Sequence, residues 1–248
     1  SLSTTLATNA AVEDKMGKGT LILIGCDKKT VERKRAKYGL PSVKDIIFLE
    51  GGHTQQGEVI KEPDWDKMKK QVMECKDKTD GLAVVQKWGM RNPEFEKKAK
   101  KLINQWTGLS VVGAHDLLEN INFLKRAATT LLNVRLIPII DEFLNAIKTT
   151  FKKRKIKAPL VMVRGDGSLM SEDYARSKPL ETLLSGPAAS VVGGVNLTGE
   201  KNAVIIDMGG TTTDLALVES GKPRLAYGGI QVGKWITGTK SIQLKTIG

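Results

Sequence analysis

The sequence predicts an α/β fold with a mostly parallel sheet. Three observations carry that expectation. Short apolar runs alternate with amphipathic segments from Thr20 to Ala114, a long stretch of three- and four-residue hydrophobic spacing follows, and the end of the chain turns β-rich. Strands alternating with helices imply βαβ units, whose crossovers place the strands parallel.

Each element has a local reason. Thr4 to Met16 holds few helix breakers and predicts a helix running to Gly17 and Gly19. Thr20–Gly25 predicts a buried strand, and Asp27 to Gly39 a polar helix closed by its glycine. Asp45 to Gly52 is strand-like. In the next helix, Glu62 to Lys78, Pro63 lies near the N-terminus, and Trp65, Met68, Val72 and Met73 share one side. Gly81–Val85, Asn92–Trp106 and Leu109–Ala114 then predict strand, helix and strand.

From about Asn122, Leu124, Ala127, Ala128, Leu131, Leu132, Leu136, Ile140, Phe143, Leu144, Ile147 and Phe151 mark a long amphipathic helix over 120–155. Pro138 lies inside it, lacks an N–H, and is expected to kink or divide it. Leu160–Val163 predicts a strand before a Gly-rich turn that contains Arg-Gly-Asp at 164–166. A helix is expected to open at Ser185 as its cap, with Pro187 early and the small Ala188, Ala189, Gly193 and Gly194 allowing close packing. Ala203–Ile206 and Leu215–Val218 predict two strands, and Lys222 to Val232 a third.

Composition narrows the function. Hydrophobic residues at 40% and charged residues at 27% are those of an ordinary globular protein. No apolar run reaches the roughly 18 to 20 residues that cross a bilayer. Cys26 and Cys75 stand alone, as buried thiols of a reducing compartment do, so a cytoplasmic location is expected. The net charge is +12, but the lysines fall on helical faces and the Lys152–Lys157 run follows the long helix, where cations meet the negative end of its dipole; this argues against nucleic acid as a partner. His53 and His115 have no ligand-spaced partner, which argues against a histidine metal site.

The stretch from Asp207 to Asp214, Asp-Met-Gly-Gly-Thr-Thr-Thr-Asp, is chemically unusual, being a polar loop between two apolar runs. Gly209 and Gly210 permit positive φ and let the backbone approach an anion, while Thr211, Thr212 and Thr213 add hydroxyl donors that suit phosphate oxygens. Asp207 and Asp214 would repel bare phosphate, but with Mg²⁺ each can hold the ion directly or through its waters. A hairpin whose tip is merely capped by Asp side chains fits the pattern equally well. Asp166 and Ser168 follow a strand, where ligand binding and turn chemistry are both open; Thr5 and Asn9 face the same choice.

The stretch resembles the D-x-G-G-T-x-T-D phosphate loop of the hydantoinase/oxoprolinase family. Ser3–Glu13, Met162–Ser171 and Leu183–Gly194 resemble segments of the same family in the same order. The resemblance implies an actin-like (ribonuclease-H-like) ATPase fold: residues 1–200 as most of a first lobe, and 201–248 as the opening of a second with its phosphate-binding β-hairpin. Family members carry an earlier phosphate loop upstream of the first segment, so the chain is expected to be an internal piece, inactive by itself. Ala189 and Ser190 depart from the two glycines frequent in the family. The implied activity is ATP-dependent hydrolysis of a cyclic amide of hydantoin or 5-oxoproline type, or a related ATP-driven carboxylation. Asp207 and Asp214 would be catalytic metal-organising residues, and Gly209, Gly210, Thr211, Thr212 and Thr213 would take the phosphates. A second hydantoinase-type subunit is the implied partner. A non-catalytic ATPase-fold module for reactivation or assembly is the alternative.

Overall fold

The structure, a computed structural model, describes residues 1–210 and 212–247. In chain order, α1 (Leu6–Val12) leads to β1 (Gly19–Ile24) and α2 (Lys28–Lys34). Asp27 caps α2 by accepting from Lys29 N and Thr30 N, and a 3-10 turn prolongs the helix to Gly39 at φ 73°. β2 (Ile46–Leu49) precedes a small antiparallel hairpin, β3 (Gly52–His53) with β4 (Val59–Lys61). α3 (Trp65–Cys75), capped by Asp64, is followed by β5 (Gly81–Gln86), α4 (Glu94–Thr107), β6 (Ser110–Gly113) and α5 (Phe123–Lys153).

Then come β7 (Val161–Val163), β8 (Leu169–Ser171), α6 (Glu172–Ser177) and α7 (Ser185–Thr198). β9 (Ala203–Met208) and β10 (Thr213–Glu219) form a hairpin. Short strands complete the chain: β11 (Lys222–Pro223), β12 (Leu225–Ala226), β13 (Gln231–Val232), β14 (Trp235–Ile236), β15 (Ser241–Ile242) and β16 (Leu244–Ile247).

By internal contacts the chain divides into two compact units. One comprises Ala11–Pro138 and Gln231–Gly238; the other comprises Ser1–Ala10, Ile139–Ile230 and Thr239–Gly248. These limits differ from the boundary at 200/201 expected from sequence. They fall at Pro138/Ile139, inside α5, which the proline does not divide. Near Pro138 the helix gains outside partners: Arg135 O accepts from Gly17 N at 2.9 Å, and Arg135 Nε donates to Gly17 O at 2.9 Å.

The first unit is built on a parallel sheet of order β2-β1-β5-β6. Every residue of β5 is buried, as expected for a strand covered on both faces. Met68, Val72, Phe95, Ala99 and Ile103 of α3 and α4 pack with Ile22, Ile24, Leu82 and Val84. Against the other face, Leu131 and Val134 of α5 approach so closely that a Cβ at Gly19 would lie 3.0 Å from Leu131 and one at Gly81 2.9 Å from Val134. Among the charged residues of α4, Glu96 is fully buried. Its Oε1 accepts from Gln86 N at 2.8 Å and Arg126 Nη2 at 2.6 Å; its Oε2 accepts from His115 N at 2.8 Å. One carboxylate thus satisfies the end of β5, the turn after β6 and the equally buried Arg126 of α5.

In the second unit, Leu2 pairs with β7: Leu2 N donates to Val161 O at 2.9 Å and Val163 N to Leu2 O at 2.7 Å. β10 is central, with β9 on one side and β16 and β11 on the other. α7 covers one face of this sheet, Ala188 and Val191 packing with Ala216, Val218 and Ile242. Two expectations need correction. Ser185 does not cap α7: its hydroxyl accepts from Thr4 N at 3.2 Å and donates to Thr4 O at 3.0 Å, so it ties the helix start to the chain's first residues. The third strand expected over Lys222–Val232 is broken into β11, β12 and β13, which pair with different partners.

Candidate functional site

Both strands of the β9–β10 hairpin run further toward the tip than their apolar residues indicate. Asp207 and Asp214 therefore lie within the ladder, not on a loop, and are direct cross-strand partners. Gly209 N donates to Thr212 O at 2.9 Å, which carries the pairing one step past the strands, with Gly210 beyond it at the tip. Thr211 lies outside the described residues. Gly209, Gly210 and Thr212 are exposed.

Alternation along the strands sorts the side chains. Ala203, Ile205 and Asp207 share a face with Val218, Ala216 and Asp214, so the acids extend the row that packs under α7. Thr212 falls on this face by the same period, whereas Thr213 pairs with Met208 on the other. A further residue joins the row: Thr246 of β16 is the partner of Asp214 on its other side, and its Oγ1 donates to Asp214 Oδ1 at 2.5 Å. Nothing local marks Thr246 in the sequence, because its place follows from β16 pairing with β10.

The site's electrostatics are those of an unbalanced anion pair. Two carboxylates stand opposite each other, both half-buried, and among the described residues neither takes part in an ion pair. Like charges directly opposite in a sheet are destabilising. The donor set, two carboxylates with a hydroxyl beside one of them, is all oxygen and suits Mg²⁺, which keeps several of its waters. The tip supplies space. Neither Gly209 nor Gly210 has a φ in the left-handed region, and a Cβ on Gly210 would meet nothing within 4 Å.

The family-like segments converge in this unit. Besides the Thr4–Ser185 bonds, Leu184 N donates to Thr8 Oγ1 at 3.0 Å, while Gly165 N donates to Glu181 O at 2.9 Å and Gly165 O accepts from Ile242 N at 2.8 Å. Of the secondary candidates, Thr5 O accepts from Asn9 N at 2.8 Å within the first turn of α1. Asp166 Oδ1 accepts from Ser168 N at 3.0 Å and Ser168 Oγ at 2.6 Å, with Gly167 at φ 85°, so the Arg-Gly-Asp segment is a self-satisfied turn.

The structure matches solved proteins over nearly its whole length. Acetone carboxylase in a nucleotide-free structure, from work on ATP-dependent acetone carboxylation, superposes with a TM-score of 0.82 at 19% identity. The ATP-dependent caprolactamase of Pseudomonas jessenii superposes with a TM-score of 0.86 at 20% identity. Each alignment covers 99% of this chain and 38% of the other. The fold is thus the α/β fold of these proteins, with a parallel sheet. The hydantoinase/oxoprolinase N-terminal region matches residues 1–107, and the hydantoinase/oxoprolinase domain matches residues 126–248. The chain belongs to the hydantoinase/oxoprolinase family.

Among curated relatives, the caprolactamase subunit alpha of Pseudomonas jessenii is 25% identical over 171 residues, 67% of this chain and 24% of that protein. The acetophenone carboxylase gamma subunit of Aromatoleum aromaticum is 25% identical over 170 residues, 65% and 23% of the two chains. The 5-oxoprolinase of Saccharomyces cerevisiae is 26% identical over 182 residues, 71% and 14%. The chain therefore spans a quarter or less of the curated relatives it matches. Among the described residues, no helix is long and apolar enough to cross a membrane.

Proposed function

We propose that the Asp207–Asp214 hairpin seats the phosphates of ATP together with Mg²⁺, in a cytoplasmic enzyme that hydrolyses a cyclic amide of hydantoin or 5-oxoproline type or drives a related carboxylation. The observation that carries this reading is the uncompensated carboxylate pair beside an open glycine tip. Packing has no use for two facing anions, and a magnesium-bound polyphosphate gives them one. Asp207 and Asp214 would hold the ion, which when bound neutralises charge between oxygen groups. The main chain at Gly209 and Gly210 and the hydroxyls of Thr211 and Thr212 would donate to phosphate oxygens. Thr213, on the opposite face, serves through its place in the ladder.

The chemistry asked of such a site follows from the substrate class. An unstrained lactam or imide is a poor electrophile, and phosphorylation of its oxygen would create a leaving group before water attacks. The chain's own part is positioning and charge stabilisation. Relatives named as the alpha subunit of a caprolactamase and the gamma subunit of a carboxylase support a second hydantoinase-type subunit as partner. The test is calorimetric titration of the intact protein with a non-hydrolysable ATP analogue, with and without Mg²⁺, followed by turnover assays with hydantoin, 5-oxoproline and caprolactam. Saturable binding that needs Mg²⁺ and is lost in Gly210→Val is expected, with turnover raised by one of the amides. Binding indifferent to Gly210→Val overturns the assignment of the tip; turnover indifferent to every cyclic amide overturns the hydrolase.

A further inference from the structure

The parallel-sheet unit holds a cavity of about 400 Å³ at the end of the sheet where β1 and β5 begin. Four basic residues line it, Lys18, Lys78, Arg135 and Lys234, together with Trp235, and no acidic residue does. A volume of this order is that of a small-molecule site.

The charge is only partly answered. Asp14 pairs with Arg135 Nη1 at 3.0 Å and with Lys234 Nζ at 2.6 Å, so one carboxylate serves two cations. Lys18 and Lys78 have no ion-pair partner among the described residues, and Asp80, beside Lys18, is engaged by the Lys18 backbone N–H at 2.7 Å. Trp235 is 1% exposed, and its indole Nε1 is a buried donor with no acceptor among the described residues. The guanidinium of Arg135 and the ammonium of Lys234 lie 5.5 Å and 5.6 Å from the Trp235 ring, which fixes both heads beside the indole. Gly39 lines the cavity at φ 73°, where a Cβ would meet Lys234 O at 2.7 Å, so the wall closes on glycine and backbone.

We propose that this cavity is a binding site for a small, multiply charged oxyanion of the phosphate type. Lys18 and Lys78 supply the unpaired charge, and Arg135 and Lys234 are held in place by Asp14 and Trp235. With no carboxylate in the lining, the anion needs no bridging metal. Its binding is independent of Mg²⁺, unlike that expected at the Asp207–Asp214 hairpin, so the two sites can fail separately.

The experiment is calorimetric titration of the intact protein with pyrophosphate in the presence of EDTA. One saturable site per chain is expected, weakened about tenfold or more in Lys18→Ala/Lys78→Ala, since losing charged hydrogen-bond donors has effects of that size. Both lysines are exposed, so their truncation leaves the core intact. The pair Lys44→Ala/Lys67→Ala removes the same charge from exposed positions that do not line the cavity. Its affinity should equal that of the unsubstituted protein. Absence of saturable binding, or equal weakening by the two lysine pairs, overturns the site.

Discussion

Replacing Asp207 by asparagine should stabilise the protein in the absence of divalent metal and abolish its stabilisation by magnesium nucleotide. Asp207 is the better of the two acids to change, because Asp214 also accepts from Thr246. Cross-strand partners hold their Cβ atoms roughly 4.5–5.5 Å apart. Two charges about 5 Å apart repel by ~0.8 kcal/mol in water-like surroundings, and measured cross-strand pair energies are about 0.2–1 kcal/mol. Asp207→Asn should therefore gain on the order of 0.5–1 kcal/mol in EDTA, raising Tm by roughly 1–4 °C for a chain of this size. Ligand reverses the order. At a free concentration 100 times Kd, the unsubstituted protein gains about 2.7 kcal/mol, or roughly 5–10 °C, and the variant should gain almost nothing. Thermal unfolding of both proteins in EDTA and in Mg²⁺ with a non-hydrolysable ATP analogue makes the comparison. A variant less stable than the parent in EDTA would mean that the pair is structural, and an undiminished ligand shift would mean that Asp207 holds no metal.

Glu96→Gln leaves the Arg126 guanidinium buried beside a neutral amide and should cost about 3–5 kcal/mol in urea unfolding; a loss under about 1 kcal/mol would show that the network is hydrated and not dry. Asp116 yields a pH dependence. Burial opposes its ionisation, but the Lys100 ammonium and the Gly113 N–H outweigh burial and hold its carboxyl below the usual value. A lowered folded-state value means that its contribution is complete above the ordinary carboxylate range and is lost as pH falls through the lowered one. The stability gap between the parent and Asp116→Asn should accordingly be constant near neutrality and close in acid, as read by urea midpoints across pH; a gap that widens in acid contradicts the sign.

Much of the fold could be read in the sequence because its elements declare themselves locally. β1 and β5 are continuous apolar runs, as strands buried on both faces must be, and Met68 and Val72 keep the helical period that buries them. What escaped depends on distant partners. Glu96 reads as one more charge on a charged helix until Arg126, 30 residues away, is folded against it. Ser185 reads as a cap because the Thr4 backbone it serves lies 181 positions back. The β3–β4 hairpin escaped for another reason: β4 is exposed throughout, so no hydrophobic alternation announces it.

The stretch from Asp207 to Asp214 stood out by composition, while the geometry within it did not, and its glycines show why. A glycine that serves the fold is defined by what a side chain there would strike. Gly51, at φ 101°, would drive a Cβ to within 2.4 Å of Lys61 O, so the β3–β4 hairpin itself demands it. Gly210 has no left-handed φ and would strike nothing. In sequence the two are the same letter beside another glycine. Only the fold separates a glycine required by its own chain from one whose vacancy the chain does not use, and it is this second kind, at an exposed tip next to two facing carboxylates, that the proposed phosphate contact to the backbone calls on.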